Sequence, residues 1–207
     1  MHVSSKWVSA AALLSAAAWT RSAAGPATPD AAADSPVGLL HRFEQAYEGR
    51  DLEAYAGLFT ADYRFYPSDP TVAARCPNGW RRDDEIASAD HLFHGFTDAT
   101  GIYRAPATKI SLELSPYRVE ADPEHTDSTA YYQCYIVPSV TLQVWTATGD
   151  YFIERQEHDY YVVRGDAAVL TPDEDGSADS WYIRKWVENP PKQPVWAMGD
   201  PDRVATP

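Results

Sequence analysis

The chain has 207 residues and a formal net charge of −13, with 30 acids against 17 Lys and Arg. So acidic a surface repels phosphate backbones, which need clustered basic side chains, and nucleic-acid partners are excluded. The length suits one domain with a real core, and two cysteines are too few for a Cys-built metal cluster.

Residues 1–24 begin with a short basic segment ending at Lys6 and continue with an Ala/Leu-rich apolar run from Trp7 to Trp19. They leave through the small residues Ser22, Ala23 and Ala24. That is the layout of a secretory signal cleaved near Ala24, and the run is shorter than the roughly 20 residues of a spanning helix. The expectation is an exported protein, periplasmic or secreted, with no membrane span. Export places Cys76 and Cys134 where thiols oxidise. A disulfide between them is the economical expectation, worth about 4 kcal/mol in the chain-entropy model. Two free buried thiols are the alternative.

Residues 25–34, rich in Pro, Ala and Asp, read as a flexible linker ahead of a domain over residues 35–188. Ser35 is a good N-cap and Pro36 suits the first helical position. Leu39, Leu40, Phe43, Ala46 and Tyr47 form a 3.6-residue stripe, and Gly49 supplies a left-handed stop. Asp51 caps a second helix with Leu52, Tyr55, Leu58 and Phe59 on its buried side. Thr60, Ala61 and Asp62 turn the chain into a short strand, Tyr63 to Tyr66, ended by Pro67 and Pro70. A third helix is expected over about Asp83 to His94, with Gly95 as its stop.

After Gly101 the period becomes two and antiparallel sheet is expected. Ile110, Leu112 and Leu114 alternate with polar residues, and a long aromatic strand follows in which Pro138 forces a bulge or bend. The strand Tyr151 to Arg164 carries Arg155, Glu157 and Asp159 on one face. Glu154, Gln156, His158, Tyr160 and Val162 lie on the other, directed inward. The last strand, Ser180 to Glu188, puts Trp181, Ile183 and Lys185 on one side, and Tyr182, Arg184 and Trp186 on the other. Residues 189–207 form a proline-rich tail with Trp196 as its docking anchor.

The runs FEQAYEGRDLEAYAGLFTADYRFYPSDP (residues 43–70) and SWYIRKWVE (residues 180–188) resemble the nuclear transport factor 2-like superfamily, whose members include the SnoaL-like and ketosteroid-isomerase-like proteins. The resemblance implies an α+β cone: three N-terminal helices packed on a strongly curved antiparallel or mixed sheet, enclosing a pocket. It also implies that Trp181 and Ile183 point toward the helices. In the ketosteroid isomerases of that superfamily a phenol donor and a carboxylate base shuttle the proton. Their positions are held in this chain by Phe43 and Pro67, so that chemistry has lost both groups, and Asp69, two residues on, is the nearest substitute.

His158 with Glu154 or His94 is the candidate acid/base set, because an imidazole titrates near neutral pH and an inward Glu supplies a partner. Tyr47, Phe65, Trp80, Phe93, Gln156, Tyr160, Trp181 and Ile183 are the candidate pocket lining. His91 and His94 have a spacing that can serve a metal, but nothing ties a third ligand to them, so no metal and no cofactor is expected.

Three readings stay open. The first is a domain that binds a small apolar or aromatic molecule, or another partner, without catalysis. The second is a cofactor-independent isomerase, dehydratase or cyclase. The third is a homodimer through an outer sheet face carrying Tyr132, Ile136, Thr141 and Trp145. For the leader, mass spectrometry of the exported protein is expected to find the N-terminus near Gly25, and a retained Met1 would count against cleavage.

Overall fold

The computed structural model describes residues 35–166, 170 and 177–190, so the leader, the linker and the tail with Trp196 lie outside the described residues. Among the described residues, no helix is long and apolar enough to cross a membrane. Helix α1 spans Pro36–Gly49, with Ser35 Oγ accepting from the Gly38 N–H at 3.0 Å. The helix runs through Gly49, and the left-handed residue is Arg50, at φ 57° and ψ 36°. A side chain there costs about 1 kcal/mol of backbone strain. Arg50 offsets it by donating from its guanidinium to the Ala107 carbonyl at 2.6 Å.

Helix α2 is only Leu52–Ala56, capped by Asp51, and strand β1 begins at once and spans Phe59–Tyr66. Residues 60–62, expected as a turn, are therefore strand, because β1 pairs in parallel with the last strand, β9 (Trp181–Glu188), from Phe59 opposite Ile183 to Tyr66 opposite Val187. A short helix α3, Pro70–Arg75, was not anticipated. It is started by Asp69, whose carboxylate accepts from the Thr71 N–H at 2.7 Å and the Val72 N–H at 3.1 Å. Strand β2 (Trp80–Arg81) leads into α4, Arg82–His94, stopped by Gly95 at φ 78°. A small hairpin, β3 (Phe96–Thr97) and β4 (Tyr103–Arg104), precedes β5 (Ala107–Glu113), β6 (Arg118–Ala121), β7 (Tyr132–Thr146) and β8 (Gly149–Arg164).

The main sheet runs β2-β1-β9-β8-β7-β5, with β6 pairing beside β5 on β7, and only the β1–β9 contact is parallel. Residues 138–139 of β7 fall where its register with β8 shifts, at the bend that Pro138 predicts. Such bulges raise local twist and curl the sheet round the helices. Strand β5 is an edge, and the N–H groups of Leu112 and of Leu114, just past its end, donate to Glu48 at 2.8 Å and Glu44 at 2.7 Å on α1. Residues four apart on a helix and two apart on a strand are both separated by about 6–7 Å, so two glutamates one turn apart match two alternate amides.

The core is aromatic and centred on Phe43. Its ring lies 5.4 Å from Tyr55, 5.6 Å from Trp186, 5.8 Å from Tyr160, and 6.1 Å from both Tyr47 and Phe59. Edge-to-face pairs add about 0.5–1.5 kcal/mol each to the area they bury.

The expected disulfide is not formed, and both cysteines are free. Cys76 ends α3 beyond β1, whereas Cys134 lies on β7 opposite Tyr161, on the sheet face away from the helices. Strands β9 and β8 intervene, so about 14 Å of sheet separates β1 from β7, twice the reach of a disulfide. Burial pushes the Cys134 thiol up to about 12, which makes it inert.

Phe43→Ala is expected to cost about 3–5 kcal/mol, since it removes a fully buried ring that its neighbours cannot replace. Urea unfolding of the variant against the parent checks this.

Candidate functional site

Strand β9 carries the feature that builds the site. Tyr161 lies opposite Lys185, and the next residue of β8, Val162, lies opposite Ile183, so Arg184 is an extra residue in the ladder. A bulge of this kind reverses which side chains face inward. Trp181 and Ile183 face the helices before it, and Trp186 and Glu188 face them after it. Lys185, expected on the side of Ile183, is turned outward, with its ammonium 3.8 Å from the centre of the Tyr161 ring. The bulge is held by Arg184, which donates to Asp62 at 2.9 and 2.8 Å. That is the role of Asp62, in place of the turn expected there.

On β8, Gln156, His158, Tyr160 and Val162 are all buried. Glu154 sits opposite Thr141 in the ladder, and its side chain lies outside the described residues. His158 is 2% exposed and stands opposite Glu188, so the two share a face about 5 Å apart at Cβ.

The His158 Nδ1 accepts from the Trp186 indole N–H at 3.2 Å and lies 3.4 Å from the Tyr160 hydroxyl. An indole nitrogen only donates, so Nδ1 carries the lone pair and Nε2 the hydrogen. Burial pulls the His158 pKa down to about 3, leaving the ring neutral. Its Nε2 is enclosed with no partner, as is the Tyr63 hydroxyl on β1.

Two carboxyls complete the cluster, and each is 7% exposed. Glu85, in the first turn of α4, accepts from the Tyr55 hydroxyl at 2.8 Å. Glu188, at the end of β9, accepts from the Ser68 backbone N–H at 3.2 Å and its hydroxyl at 3.4 Å. Ser68 Oγ accepts in turn from the Gln156 amide at 2.8 Å. Burial raises both carboxyls to about 7, and in each case the nearby charges that add to the rise are acids: Glu188 and Asp84 for Glu85, Asp69 for Glu188. The phenols of Tyr47, Tyr55, Tyr63 and Tyr160 are likewise pushed above their ordinary range by burial, with Glu85 contributing to each.

His158 therefore touches Tyr160 and Trp186 and shares the inner face with Glu188 and Gln156. His94 is not among them. It lies on the open side of α4, bonded to Asp90 at 2.7 Å with both side chains about half exposed. His91 stacks on Phe96, so the two histidines do not converge. Phe65, Phe93, Tyr160, Trp181 and Ile183 are core residues, and Tyr47, Trp80 and Trp186 are partly buried at its margin. Asp69 is spent on capping α3. Of the dimer-face candidates, Tyr132 and Ile136 are buried within the chain, Tyr132 beneath the His125 ring at 3.8 Å and Ile136 beside Arg118.

Asp122, Glu124 and His125 bring ligand atoms within 4.8 Å of one another. Their donors are already engaged, His125 with Asp122 at 3.0 Å and Glu124 with Lys185 at 2.6 Å.

Glu85, Glu188, Tyr63, Tyr55 and Ser68 were not singled out from sequence. Glu85 had a usable signal: it lies four residues before Ala89 and eight before Phe93, on the apolar stripe of α4.

No family model and no curated protein matches the chain. It is similar to solved structures. One is a putative scytalone dehydratase from Novosphingobium aromaticivorans, 12% identical over 72% of this chain and 77% of that one, at a TM-score of 0.49. A second is an NTF2-like protein of unknown function in nutrient uptake from Rhodospirillum rubrum, 10% identical over 75% and 97%, at 0.48. A third is a nuclear transport factor 2-like superfamily protein from Salmonella enterica, 9% identical over 78% and 92%, at 0.47. Likeness of this degree concerns fold alone. The helices packed on a curved mixed sheet traced above are the α+β arrangement expected from the resemblance of residues 43–70.

The buried groups set a pH dependence whose sign can be worked out. A carboxyl near 4.5 in the unfolded chain and near 7 in the fold keeps its proton longer when folded, so stability falls as pH rises from about 4.5 to 7. His158, lowered from 6.5 to about 3, acts oppositely and adds stability as pH rises through that interval. Two carboxyls outweigh one imidazole above pH 4.5, each on the order of 3 kcal/mol. Glu85→Gln/Glu188→Gln is therefore expected to gain stability relative to the parent between pH 5 and 7.5, measured by urea unfolding at each pH. A constant difference would contradict the assignment.

Proposed function

We propose that the chain binds a small, largely apolar molecule in the aromatic interior beside His158, and that this interior is equipped to move a proton on it. The observation that carries the reading is that two of the three buried polar atoms without a partner among the described residues, His158 Nε2 and Tyr63 Oη, lie on the strands that flank β9, near carboxyls that burial raises to about 7. A buried donor without an acceptor costs about 1–3 kcal/mol, so its retention favours a use in which a ligand supplies the missing atom. Glu85 and Glu188 are poised to give or take a proton near neutral pH. The class of reaction is that of cofactor-independent isomerases, dehydratases and cyclases, with His158 acting as a neutral hydrogen-bond donor in place of a base.

Native mass spectrometry of protein purified from its own host is expected to reveal a retained molecule. Tyr63→Phe supplies a second check. It is expected to be neutral or up to about 1 kcal/mol stabilising, because the hydroxyl has no partner in the empty fold, yet to lose the retained molecule. A clear loss of stability with retention unchanged would make Tyr63 purely structural and overturn the reading.

A further inference from the structure

The charge of the interior narrows the ligand, given the reading just proposed. Glu85 and Glu188 are both more than nine-tenths buried, and their hydrogen-bond partners are neutral: a phenol for one, a serine for the other. The charged groups that bear on them, Asp69 and Asp84, are acids, and neither carboxyl has a basic side chain among its partners. Natural interiors pair buried acids with Arg, Lys or a metal, because an ionised carboxylate left alone in an apolar setting costs several kcal/mol.

Aromatic rings pack beside these carboxyls. Trp186 lies 4.7 Å from Phe65, 5.4 Å from Tyr160 and 5.5 Å from His158, ring centre to ring centre. Such faces attract cations through the ring quadrupole. Among the described residues the His158 Nε2–H is the one enclosed fixed donor without a partner, the hydroxyl of Tyr63 can donate or accept, and the third such atom, Asp159 Oδ1, is an acceptor.

We propose that the ligand of this interior is a small organic ammonium bearing an oxygen acceptor, its positive charge met by Glu85, Glu188 and the aromatic faces, and its oxygen by the His158 Nε2–H. A neutral ligand would leave both acids to pay desolvation with nothing gained on ionising. An anionic one would be repelled. A cation replaces the missing basic partner and makes the ionised carboxylates the favoured form.

Choline tests this against its neutral isostere 3,3-dimethyl-1-butanol, by calorimetric titration of the full domain. At pH 8 choline is expected to bind at least about tenfold more tightly than the alcohol. Its charge does not titrate, so its affinity is expected to rise about tenfold or more between pH 5.5 and 8 as the carboxyls ionise, while that of the alcohol stays flat. The phenols of Tyr47, Tyr55, Tyr63 and Tyr160 face the carboxyls but remain protonated throughout, and His158 remains neutral, so neither set mimics that profile.

Glu85→Gln and Glu188→Gln are each expected to weaken choline about tenfold and to leave the alcohol within about twofold, which also shows that the variant is folded. An alcohol that binds as tightly as choline overturns the inference and leaves the proposed small-molecule site standing. Choline affinity indifferent to pH and to both substitutions overturns it as well, and so does an absence of choline binding, in which case the proposed function rests on its own retained-ligand test.

Discussion

The main core of this domain is arranged round one ring. Phe43 meets rings from α1, α2, β1, β8 and β9, so it fixes how far the helices stand from the sheet and how the sheet bends to meet them. An interior filled by flat, rigid groups tolerates polar atoms only where a ring offers a hydrogen bond or an edge. The tyrosines do this. Tyr55 satisfies Glu85, and the Trp186 indole satisfies one nitrogen of His158, so hydrophobic packing and polar pairing are carried by the same side chains. Altering Tyr55 or Trp186 therefore disturbs the packing and the hydrogen bonds of the polar cluster together.

That coupling gives the polar cluster its character. Carboxyls placed among rings, with a neutral imidazole and no basic side chain beside them, lower the stability of the fold at neutral pH. Proteins retain such groups where activity needs them more than stability does. Gln156 and Ser68 extend the network to the entrance of α3, and Asp69 starts that helix. The loop between β1 and α3 is thus tied to Glu188 by Ser68 and stiffened by the cap that follows it.

Much of the architecture was legible in the sequence, and the reasons for the rest are physical. The stripe in α1, the Ser35 and Asp51 caps, the stop at Gly95 and the alternation in β5 express local periods and turn chemistry, which a sequence displays directly. The start of β1 at Phe59 does not, because that strand forms only against a partner far along the chain, and pairing there overrides the helical pattern of Leu58 and Phe59. The inward turn of Trp186 and Glu188 was hidden for a related reason. Strict alternation puts Trp186 on the outer face, and one extra residue at Arg184 cancels it. The role of Asp62, read as a turn residue, follows from the same bulge. Cys76 and Cys134 show the opposite failure: the redox argument concerned thiols in general, whereas bonding depends on where the sheet sets these two.

The parallel pairing of β1 with β9 has a consequence for how the molecule comes into being. Asp62 and Arg184 are 122 residues apart in sequence, yet β9 is inserted between β1 and β8 in the middle of the sheet. Until the final strand arrives, β1 and β8 have no neighbour on their facing edges, and the half of the interior bearing Trp186 and Glu188 does not exist. Folding therefore waits for nearly the whole chain. The aromatic interior and the polar cluster within it are completed in the same step that closes the sheet.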